Sequence, residues 1–447
     1  MNGKNKIVIL GAGESGYGAA VLAQKQGFDV FVSDMGEIKE EFRKLLGDKE
    51  IRFEEGVHTE SEILSASEVI KSPGIPDKAP IIKKVKEKNI PVISEIEFGG
   101  RYTDSKKICI TGTNGKTTTT MLTYHILQKA GLKVGLAGNV GKSFARQVAE
   151  NDFDYYVIEL SSFQLDGLYA FKADVAILLN ITPDHLDRYE YDLQKYIDSK
   201  FRIFQNQTAL DAFIYCADDE IIIAELAKRN INSEKFPFSI KKEEGMVAFV
   251  KEDQLNINIK NINLQMSIFD LALQGKHNLY NSMASGIAAR VIDIRKDVVR
   301  ESFSDFKNIE HRLEHVMTVH GIEFINDSKA TNINSTWYAL ECMQKPIVWI
   351  VGGIDKGNDY ETLKELVRTK VKAIVCMGVD NQKIIDAFGD IIPEISETKT
   401  AADAVKSAYE KGRKGDVVLL SPACASFDLF KNYEDRGWQF KKAVKGL

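Results

Sequence analysis

The residues best suited to chemistry form a glycine-rich turn, Thr111-Gly112-Thr113-Asn114-Gly115-Lys116-Thr117-Thr118. Apolar residues at Lys106–Ile110 predict a strand before the turn, and Thr117–Lys129 predicts a helix after it. At such a turn, phosphate oxygens meet backbone N–H groups and the positive end of the helix dipole. Lys116 would lie between the outer phosphates of a nucleoside triphosphate, and the Thr117 hydroxyl would reach Mg²⁺. The turn therefore predicts ATP chemistry.

This turn is a shorter variant of the P-loop, because the strict spacing has a glycine where this chain has Ile110. A chance Gly-Lys-Thr in a surface turn is the alternative. The ordered succession of strand, turn and helix favours the nucleotide site over that alternative.

Two further apolar runs end in polar side chains that could meet beside this turn. Glu159 ends the first run, and a carboxylate at a strand end near Thr117 fits an octahedral Mg²⁺ that also binds phosphate oxygens. A helix cap or a surface ion pair is the structural alternative. The second run leads to His185, which is an unusual Mg²⁺ ligand and fits a helix start capped by Asp184 equally well.

The first 34 residues have a βαβ pattern of the dinucleotide-binding type. A strand at Lys6–Leu10 leads into Gly11-Ala12-Gly13-Glu14-Ser15-Gly16, a helix runs to about Gln26, and a second strand at Asp29–Ser33 is closed by Asp34. This pattern alone is compatible with NAD. The same glycines suit any diphosphate at a helix N-terminus, including that of a UDP-linked substrate.

Three polar loops follow predicted strands in the last third of the chain. They span Asn326–Asn332, Gly352–Gly357 and Leu420–Asp428. Because the carboxyl ends of parallel strands share one edge of a sheet, the loops could converge on a single ligand. Ordinary strand-to-helix turns rich in Gly, Ser and Asp are the alternative.

Length and charge limit the class of protein. A chain of 447 residues favours about three domains. With 59 basic and 64 acidic residues the net charge is −5, which argues against nucleic-acid binding and against a basic membrane surface. The five cysteines form no CxxC pair, and no apolar run reaches the roughly 18 residues of a membrane span. Because residues 1–6 show no signal-peptide pattern, a cytoplasmic protein without membrane insertion is expected.

The pattern along the chain predicts an α/β protein with three domains. Residues 1–103 are expected to form a Rossmann-like substrate-binding domain, residues 104–308 a central P-loop domain, and residues 309–447 a second Rossmann-like domain. Alternation of Leu255, Ile257 and Ile259 with asparagines predicts a small antiparallel addition within residues 240–270.

Taken together, these segments resemble the Mur ligase family of peptidoglycan synthesis. The glycine-rich turn is similar to the family's ATP loop, and Asn180–Arg188 is similar to its metal segment. Gly275–Asn278 with Asn281, His311–Arg312 and Asn326–Asn332 are similar to its ATP-contacting motifs. Leu420–Gly437 is similar to the members that add D-glutamate. The related folylpolyglutamate synthetases lack the leading UDP-binding domain, whose pattern is present here.

The resemblance implies an ATP-dependent ligase that adds D-glutamate to UDP-N-acetylmuramoyl-L-alanine through an acyl phosphate. It also implies two Mg²⁺ ions, one held by Thr117 and Glu159, the other by His185 and by Lys200 as a carbamate formed with CO₂. The implied catalytic residues are Lys116, Glu159, His185, Lys200 and Lys329. The implied ATP contacts are Gly112, Thr113, Asn114, Gly115, Lys116, Thr117, Thr118, Asn278, Asn281, Arg312, Asp327 and Lys329.

The substrate contacts follow from the same resemblance. For the muramoyl substrate they are Ser15, Ser72, Gly74, Asn139, Ser161, Gln164 and His185, and for D-glutamate they are Thr331, Lys356, Ser426 and Tyr433. The uracil contacts depart from the family pattern, because Met35-Gly36 follows Asp34 where relatives carry Thr-Arg. A monomer is expected, and domain closure is expected because the ATP contacts are split between two domains.

Three alternative functions stay open at this point. Another amino-acid ligase of the same family would differ mainly in the loops of the third domain. An NAD-dependent oxidoreductase would use Gly11–Asp34 but would leave the P-loop and the third domain unexplained. A binding module that hydrolyses ATP only as a switch would show ATP turnover that does not respond to an acceptor.

Overall fold

The computed structural model describes residues 5–307 and 310–447, which form two compact units. The first unit comprises Met1–Leu271 and Asn278–Phe306, and the second comprises Ala272–His277 and Lys307–Leu447. Two sheets lie in the first unit and one lies in the second. The three sheets, with helices between their strands, confirm the predicted α/β class. The predicted boundary at 308/309 falls outside the described residues, and the boundary at 103/104 stays a prediction.

The first sheet has five parallel strands in the order β3-β2-β1-β4-β5. Its strands are β1 Lys6–Leu10, β2 Asp29–Asp34, β3 Arg52–Glu55, β4 Glu68–Lys71 and β5 Val92–Ile93. Its helices are α1 Glu14–Lys25, α2 Glu40–Asp48, α3 Glu60–Ile63, α4 Pro80–Glu87 and α5 Glu95–Gly100. The apolar run of β1 is buried because helices cover both faces of a parallel sheet. The order places the end of β1 between β2 and β4, where ligands of open α/β sheets bind.

The second sheet has nine strands in the order β14-β13-β12-β11-β10-β9-β6-β8-β7. They are β6 Lys106–Thr111, β7 Val134–Gly138, β8 Tyr155–Glu159, β9 Val175–Leu178, β10 Ala212–Cys216, β11 Glu234–Ser239, β12 Ala248–Lys251, β13 Gln254–Ile259 and β14 Ile262–Ser267. Its helices are α6 Lys116–Lys129, α7 Phe144–Glu150, α8 Ser162–Leu165, α9 Leu193–Phe201, α10 Glu220–Leu226, α11 Lys276–Val291 and α12 Lys296–Asp305. Three 3₁₀ turns, Leu186–Arg188, Arg202–Phe204 and Ile268–Asp270, complete this part of the chain. Because β6 lies between β8 and β9, the loops after these three strands are neighbours.

The predicted antiparallel addition is confirmed by the pairing of the last three strands of this sheet. β12 pairs with β13, and β13 pairs with β14, both antiparallel. Leu255, Ile257 and Ile259 are buried and Asn258 is exposed, as the alternation predicts. Asn256 is buried as well, so the opposite face of β13 is partly covered at that position.

The third sheet has six strands in the order β15-β16-β20-β17-β18-β19. Its strands are β15 Glu314–Val319, β16 Ile322–Asn326, β17 Ile347–Val351, β18 Val371–Met377, β19 Ile395–Thr398 and β20 Val417–Leu420. Its helices are α13 Ile333–Cys342, α14 Lys364–Lys370, α15 Gln382–Phe388, α16 Ala401–Lys411 and α17 Tyr433–Val444, and Glu361–Leu363 forms a 3₁₀ turn. All pairs are parallel except β15 with β16. The loops after β16, β20 and β17 therefore emerge side by side.

Candidate nucleotide and amino-acid sites

The loop after β6 has the conformation that its glycines predict. Gly112 has a φ of 151° and Gly115 has a φ of 83°, values that L-residues with a Cβ rarely adopt. Helix α6 begins directly after Gly115, so its first N–H groups face the end of the loop. Lys116 Nζ donates to the carbonyl oxygens of Gly112 and Thr113, at 2.9 and 2.7 Å. The loop conformation is therefore compatible with the predicted phosphate site, and the lysine side chain lies over the loop.

Residues after the neighbouring strand β9 hold this loop from the side. The backbone N–H of Asn114 donates to Asn180 Oδ1 at 2.8 Å, and Asn180 Nδ2 donates to the Asn114 carbonyl at 3.0 Å. Thr113 Oγ1 lies 3.0 Å from Tyr196 Oη and donates to the Thr182 carbonyl at 3.0 Å. Asn180 begins the segment that resembles the family's metal segment, but neither Asn180 nor Tyr196 is among the individually predicted contacts. The position of Asn180 at a strand end next to the P-loop strand is the signal that could have identified it.

Lys200 lies beneath the loop rather than on a helix surface. Only 1% of the residue is exposed, and Nζ donates to the Gly112 carbonyl at 2.8 Å. Burial, and secondarily the positive charge of Lys116, lowers the pKa of Lys200 well below the ordinary lysine value of 10.5. This environment favours the neutral amine.

Glu159 ends β8 on the other side of the loop and is 1% exposed. Its Oε1 accepts a hydrogen bond from Asn139 Nδ2 at 2.8 Å, whereas its Oε2 is buried without a hydrogen-bond partner among the described residues. Leaving a carboxylate oxygen buried and unpaired is costly, unless a cation occupies the adjacent space. Glu159 therefore fits a metal ligand better than a helix cap or a surface ion pair.

His185 precedes the 3₁₀ turn Leu186–Arg188 and has a left-handed backbone with a φ of 53°. Its backbone N–H donates to Asp184 Oδ1 at 3.0 Å, and its ring meets Phe163 edge-on with centroids 5.3 Å apart. Within residues 5–307 and 310–447, no three His, Cys, Asp or Glu side chains form a metal cluster. Mg²⁺ commonly keeps several waters and phosphate oxygens, so a site with few protein ligands fits this ion.

The start of α11 packs against the phosphate loop within the first unit. A Cβ at Gly115 would lie 2.4 Å from Asn281 Oδ1, so only glycine fits there. Asn281 Oδ1 also accepts a hydrogen bond from Thr119 Oγ1 at 3.2 Å, and Asn281 Nδ2 donates to Asn278 Oδ1 at 3.1 Å. Of the two predicted ATP-contacting asparagines, Asn281 thus lies against the phosphate loop, and Asn278 is hydrogen-bonded to Asn281.

The first sheet presents a second glycine turn after β1. Gly11 has a φ of 93°, and a Cβ there would lie 2.5 Å from Ser72 Oγ, which brings the turn and the loop after β4 together. Asp34 Oδ2 accepts a hydrogen bond from the backbone N–H of Ala12 at 2.7 Å. One oxygen of the Asp34 carboxylate therefore stabilises the turn. This role explains the acidic residue without assigning it to the ribose of NAD.

Predicted contacts of the muramoyl substrate occupy different local roles. Ser15 lies in the first turn of α1. The carbonyl of Gly74 accepts a hydrogen bond from Arg188, whose guanidinium also stacks 4.3 Å from the ring centroid of Phe163. Ser161 and Gln164 form a reciprocal capping box at the start of α8. Their spacing, Ser-x-x-Gln, is a sequence signal for that capping role.

In the second unit, Asp327 follows β16 and is 5% exposed. Its oxygens accept hydrogen bonds from Ser421 Oγ at 2.9 Å and from the backbone N–H of Leu313 at 3.2 Å. Burial raises the pKa of Asp327 to about 7, although the charge of Arg312 opposes the rise. Asp327 and Arg312, both predicted ATP contacts, are thus electrostatically coupled.

The predicted D-glutamate contacts lie at the carboxyl edge of the third sheet. Ser426 is buried, Lys356 is exposed in the loop after β17, and Tyr433 begins α17. Lys329 Nζ lies 5.5 Å from the centroid of the Tyr433 ring. Thr331 lies in the loop between β16 and α13. A cavity of about 300 Å³ at this edge is lined by Ile354, Asp355, Tyr360, Lys383, Cys424 and Asp428, among others.

Among the described helices, none combines the length and the apolar character that crossing a bilayer demands.

Three family models match the chain in the order of its sheets. Residues 6–81 match the MurD N-terminal domain, residues 110–289 the Mur ligase middle domain, and residues 311–424 the Mur ligase, glutamate ligase domain. These matches cover the two glycine turns and most of the loops of the third sheet.

Curated relatives are similar over their full length. The UDP-N-acetylmuramoylalanine–D-glutamate ligase of Bacteroides fragilis is 58% identical, covering 99% of this chain and 100% of that protein. The enzyme of the same name from Porphyromonas gingivalis is 53% identical, covering 99% of each chain.

Solved structures show the same fold at low sequence identity. The UDP-N-acetylmuramate–alanine ligase MurC of Thermotoga maritima gives a TM-score of 0.64 at 19% identity and covers 99% of each chain. The MurF ligase of Thermotoga maritima in complex with ADP gives a TM-score of 0.62 at 14% identity, covering 93% of this chain and 95% of that one. Given the full-length identity to curated relatives, this chain belongs to the Mur ligase family.

Proposed function

We propose that this protein joins D-glutamate to UDP-N-acetylmuramoyl-L-alanine with hydrolysis of ATP to ADP and phosphate, a step of peptidoglycan synthesis. The observation that carries the proposal is the 58% identity to the ligase of Bacteroides fragilis, because it extends over the phosphate loop and the amino-acid loops alike. The reaction has two steps. The alanyl carboxylate attacks the γ-phosphorus of ATP and releases ADP, and the D-glutamate amine then attacks the acyl phosphate and releases phosphate.

The first step brings a carboxylate toward a polyanion, so positive charge must screen the repulsion. Lys116 is positioned over the phosphate loop and is proposed to contact the outer phosphates. Arg312 and Lys329 of the second unit are proposed to add positive charge, and Asn278, Asn281 and Asp327 to hold the adenosine. The backbone groups of residues 112–118 are proposed as the phosphate cradle.

Mg²⁺ would polarise the phosphoryl oxygens and shield their charge when bound. Thr117 and Glu159 are proposed to hold one ion, which the buried, unpaired Glu159 Oε2 supports. His185 and Lys200 are proposed to hold a second ion. The ammonium form of a lysine cannot ligate a cation, so Lys200 must first become a carbamate.

The neutral amine that burial favours at Lys200 is the form that reacts with CO₂. The nitrogen lone pair bonds to the carbon of CO₂, the amine loses a proton, and a carbamate anion results. This conversion places an oxygen donor beside the phosphate loop, where Lys200 Nζ donates to the Gly112 carbonyl and lies 4.6 Å from the centroid of the Tyr196 ring.

The muramoyl substrate is proposed to lie along Ser15, Ser72, Gly74, Asn139, Ser161, Gln164 and His185. D-Glutamate is proposed to bind Thr331, Lys356, Ser426 and the Tyr433 backbone, where Lys356 and the hydroxyls suit two carboxylates. We also propose the three-domain division at 103/104 and 308/309, a monomer, and residence in the cytoplasm, where ATP and UDP-linked precursors are present. All five cysteines are free thiols, which agrees with a reducing compartment.

The test is phosphate release from ATP and Mg²⁺ with UDP-N-acetylmuramoyl-L-alanine, comparing D-glutamate, L-glutamate, L-lysine and no amino acid. Release that requires D-glutamate, together with the product mass, supports the proposal. Turnover with a different amino acid reassigns the acceptor within the family, and turnover that is unchanged by any acceptor supports an ATP switch. Lys116→Ala should lose turnover, whereas Lys133→Ala, at an exposed position, is the matched control.

A further inference from the structure

Arg436 on α17 is an arginine buried at the edge of the third sheet where the polar loops emerge. It is 1% exposed and is among the largest fully buried side chains of the described residues. In residues 5–307 and 310–447 it forms no ion pair with a carboxylate, and its hydrogen bonds go to a hydroxyl and to backbone carbonyls. The negative charges of Asp428 and Asp327 act on this buried cation without pairing directly with it, so its hydrogen bonds must explain its position.

Those contacts reach three separate loops. Nε donates to Ser328 Oγ at 3.0 Å, and Nη2 donates to the Ser328 carbonyl at 2.9 Å. Nη1 donates to the carbonyls of Cys424 and Gly352, at 3.2 and 3.4 Å. The loops that contain these residues follow β16, β20 and β17, which are adjacent in the sheet.

The same three loops carry the side chains that the proposed function assigns to D-glutamate. Thr331 is three residues after Ser328, Lys356 is four residues after Gly352, and Ser426 is two residues after Cys424. The fourth contact, Tyr433, begins the helix that carries Arg436, and its carbonyl accepts a hydrogen bond from Ser328 Oγ at 2.7 Å. One guanidinium thus connects every segment of the proposed acceptor site.

We infer that Arg436 is a positioning residue for the amino-acid acceptor, whose guanidinium fixes the three strand-end loops in the arrangement that binds D-glutamate. The inference rests on the proposed function. Arginine suits this role because its rigid, planar group presents five donors in fixed directions, whereas lysine has a single mobile ammonium. Burial, the largest influence, lowers the pKa of Arg436 to about 10, so the group keeps its proton and its donors at neutral pH.

The experiment is a steady-state comparison of wild type and Arg436→Lys, with KM measured separately for D-glutamate, ATP and UDP-N-acetylmuramoyl-L-alanine. Lysine keeps the charge but cannot bond to all three loops. We expect KM for D-glutamate to rise by about tenfold or more, as the loss of one charged hydrogen bond would produce. KM for the muramoyl substrate should stay within about twofold, since its proposed contacts lie in the first unit.

Two further variants separate positioning from general stability. Ser328→Ala removes one acceptor of the Arg436 network and the bond to the Tyr433 carbonyl, and it should raise KM for D-glutamate in the same direction even if Arg436→Lys does not fold. Arg290→Lys is the matched control, because Arg290 is also a buried helical arginine but bonds to the Ile294 carbonyl in the first unit. It should lower thermal stability and leave KM for D-glutamate unchanged.

A lower melting temperature with all three KM values unchanged would overturn the inference, and so would a parallel rise in all three. The activity of the wild-type protein shows whether the inference about Arg436 or the proposed function has failed. If wild type does not use D-glutamate, the proposed function fails first. If wild type uses D-glutamate and Arg436→Lys and Ser328→Ala leave its KM unchanged, only the positioning role fails.

Discussion

Replacing Glu95 with glutamine tests whether a buried carboxylate in the first unit makes stability depend on pH. Glu95 begins α5, is 4% exposed and accepts hydrogen bonds from Ser143 Oγ at 2.6 Å and from the backbone N–H of Ala145 at 2.5 Å. Burial raises its pKa from 4.5 to about 7, and the negative charge of Glu14 adds to the rise. Glutamine keeps a carbonyl oxygen for both bonds but carries no charge.

The sign and the size of the effect follow from the two pKa values. The folded protein holds the proton at pH values where the unfolded chain has released it, so raising the pH from about 4.5 to about 7 favours unfolding. Above pH 7 the cost of the ionised carboxylate is constant, at about 3 kcal/mol. Between pH 5 and pH 8, the unfolding free energy of Glu95→Gln relative to wild type should therefore rise by about 2 to 3 kcal/mol.

Cysteine labelling in urea can assign this change to the correct unit. Cys109 is fully buried in β6 of the first unit, and Cys376 is fully buried in β18 of the second. The pH-dependent difference should appear in the protection of Cys109 and not in that of Cys376. Ser143→Ala is the control, since it removes a hydrogen bond but keeps the titrating carboxylate, so the pH dependence should persist. A difference between Glu95→Gln and wild type that is equal at pH 5 and pH 8 would refute the reasoning.

Three other predictions concern the phosphate loop and the third sheet. Glu159→Gln should reduce kcat by about hundredfold or more and shift the Mg²⁺ requirement upward, because a neutral amide replaces the carboxylate proposed to bind the metal; a Mg²⁺ titration of phosphate release checks this. Lys200→Met should reduce kcat by a similar factor, about hundredfold, and depleting CO₂ and bicarbonate should lower wild-type activity but not the residual activity of the variant. Trp349→Phe removes the donor to the Ser421 carbonyl at 2.8 Å and should lower the unfolding free energy by about 1 to 3 kcal/mol, measured by labelling of Cys376.

Much of the fold could be predicted from the sequence because strands of parallel sheets are buried on both faces. Such strands are continuous apolar runs, and the predicted strand Lys6–Leu10 is confirmed with the same bounds. The glycine turn could be predicted as well, since its function requires glycine at fixed positions. The extent of the first unit could not be predicted. Its two sheets belong to one compact unit, and local sequence patterns do not show which sheets pack together.

The specific hydrogen bonds between segments distant in sequence could not be predicted, although the proximity of some strand ends could. The bonds between Asn114 and Asn180 depend on β6 pairing with β9, which no local pattern specifies. The burial of Glu95 could not be predicted either. Charged residues at a helix start are usually exposed, whereas Glu95 is buried against Ser143. The orientation of a side chain at a strand end depends on the register of its neighbours.

Three buried ionisable side chains of this protein share a feature that bears on how its loops are held. Lys200 and Arg436 direct their donors mainly at backbone carbonyls, and Glu95 accepts from a backbone N–H as well as from a hydroxyl. An ion pair would fix two side chains, whereas a bond from a charged group to the backbone fixes the course of the loop itself. Loops held in this way can place glycine-rich turns and short polar side chains precisely, although such residues contribute little packing. For Lys200 and Arg436, the free-energy cost of burial therefore falls at the loop edges of the second and third sheets, where the proposed ATP and D-glutamate contacts lie.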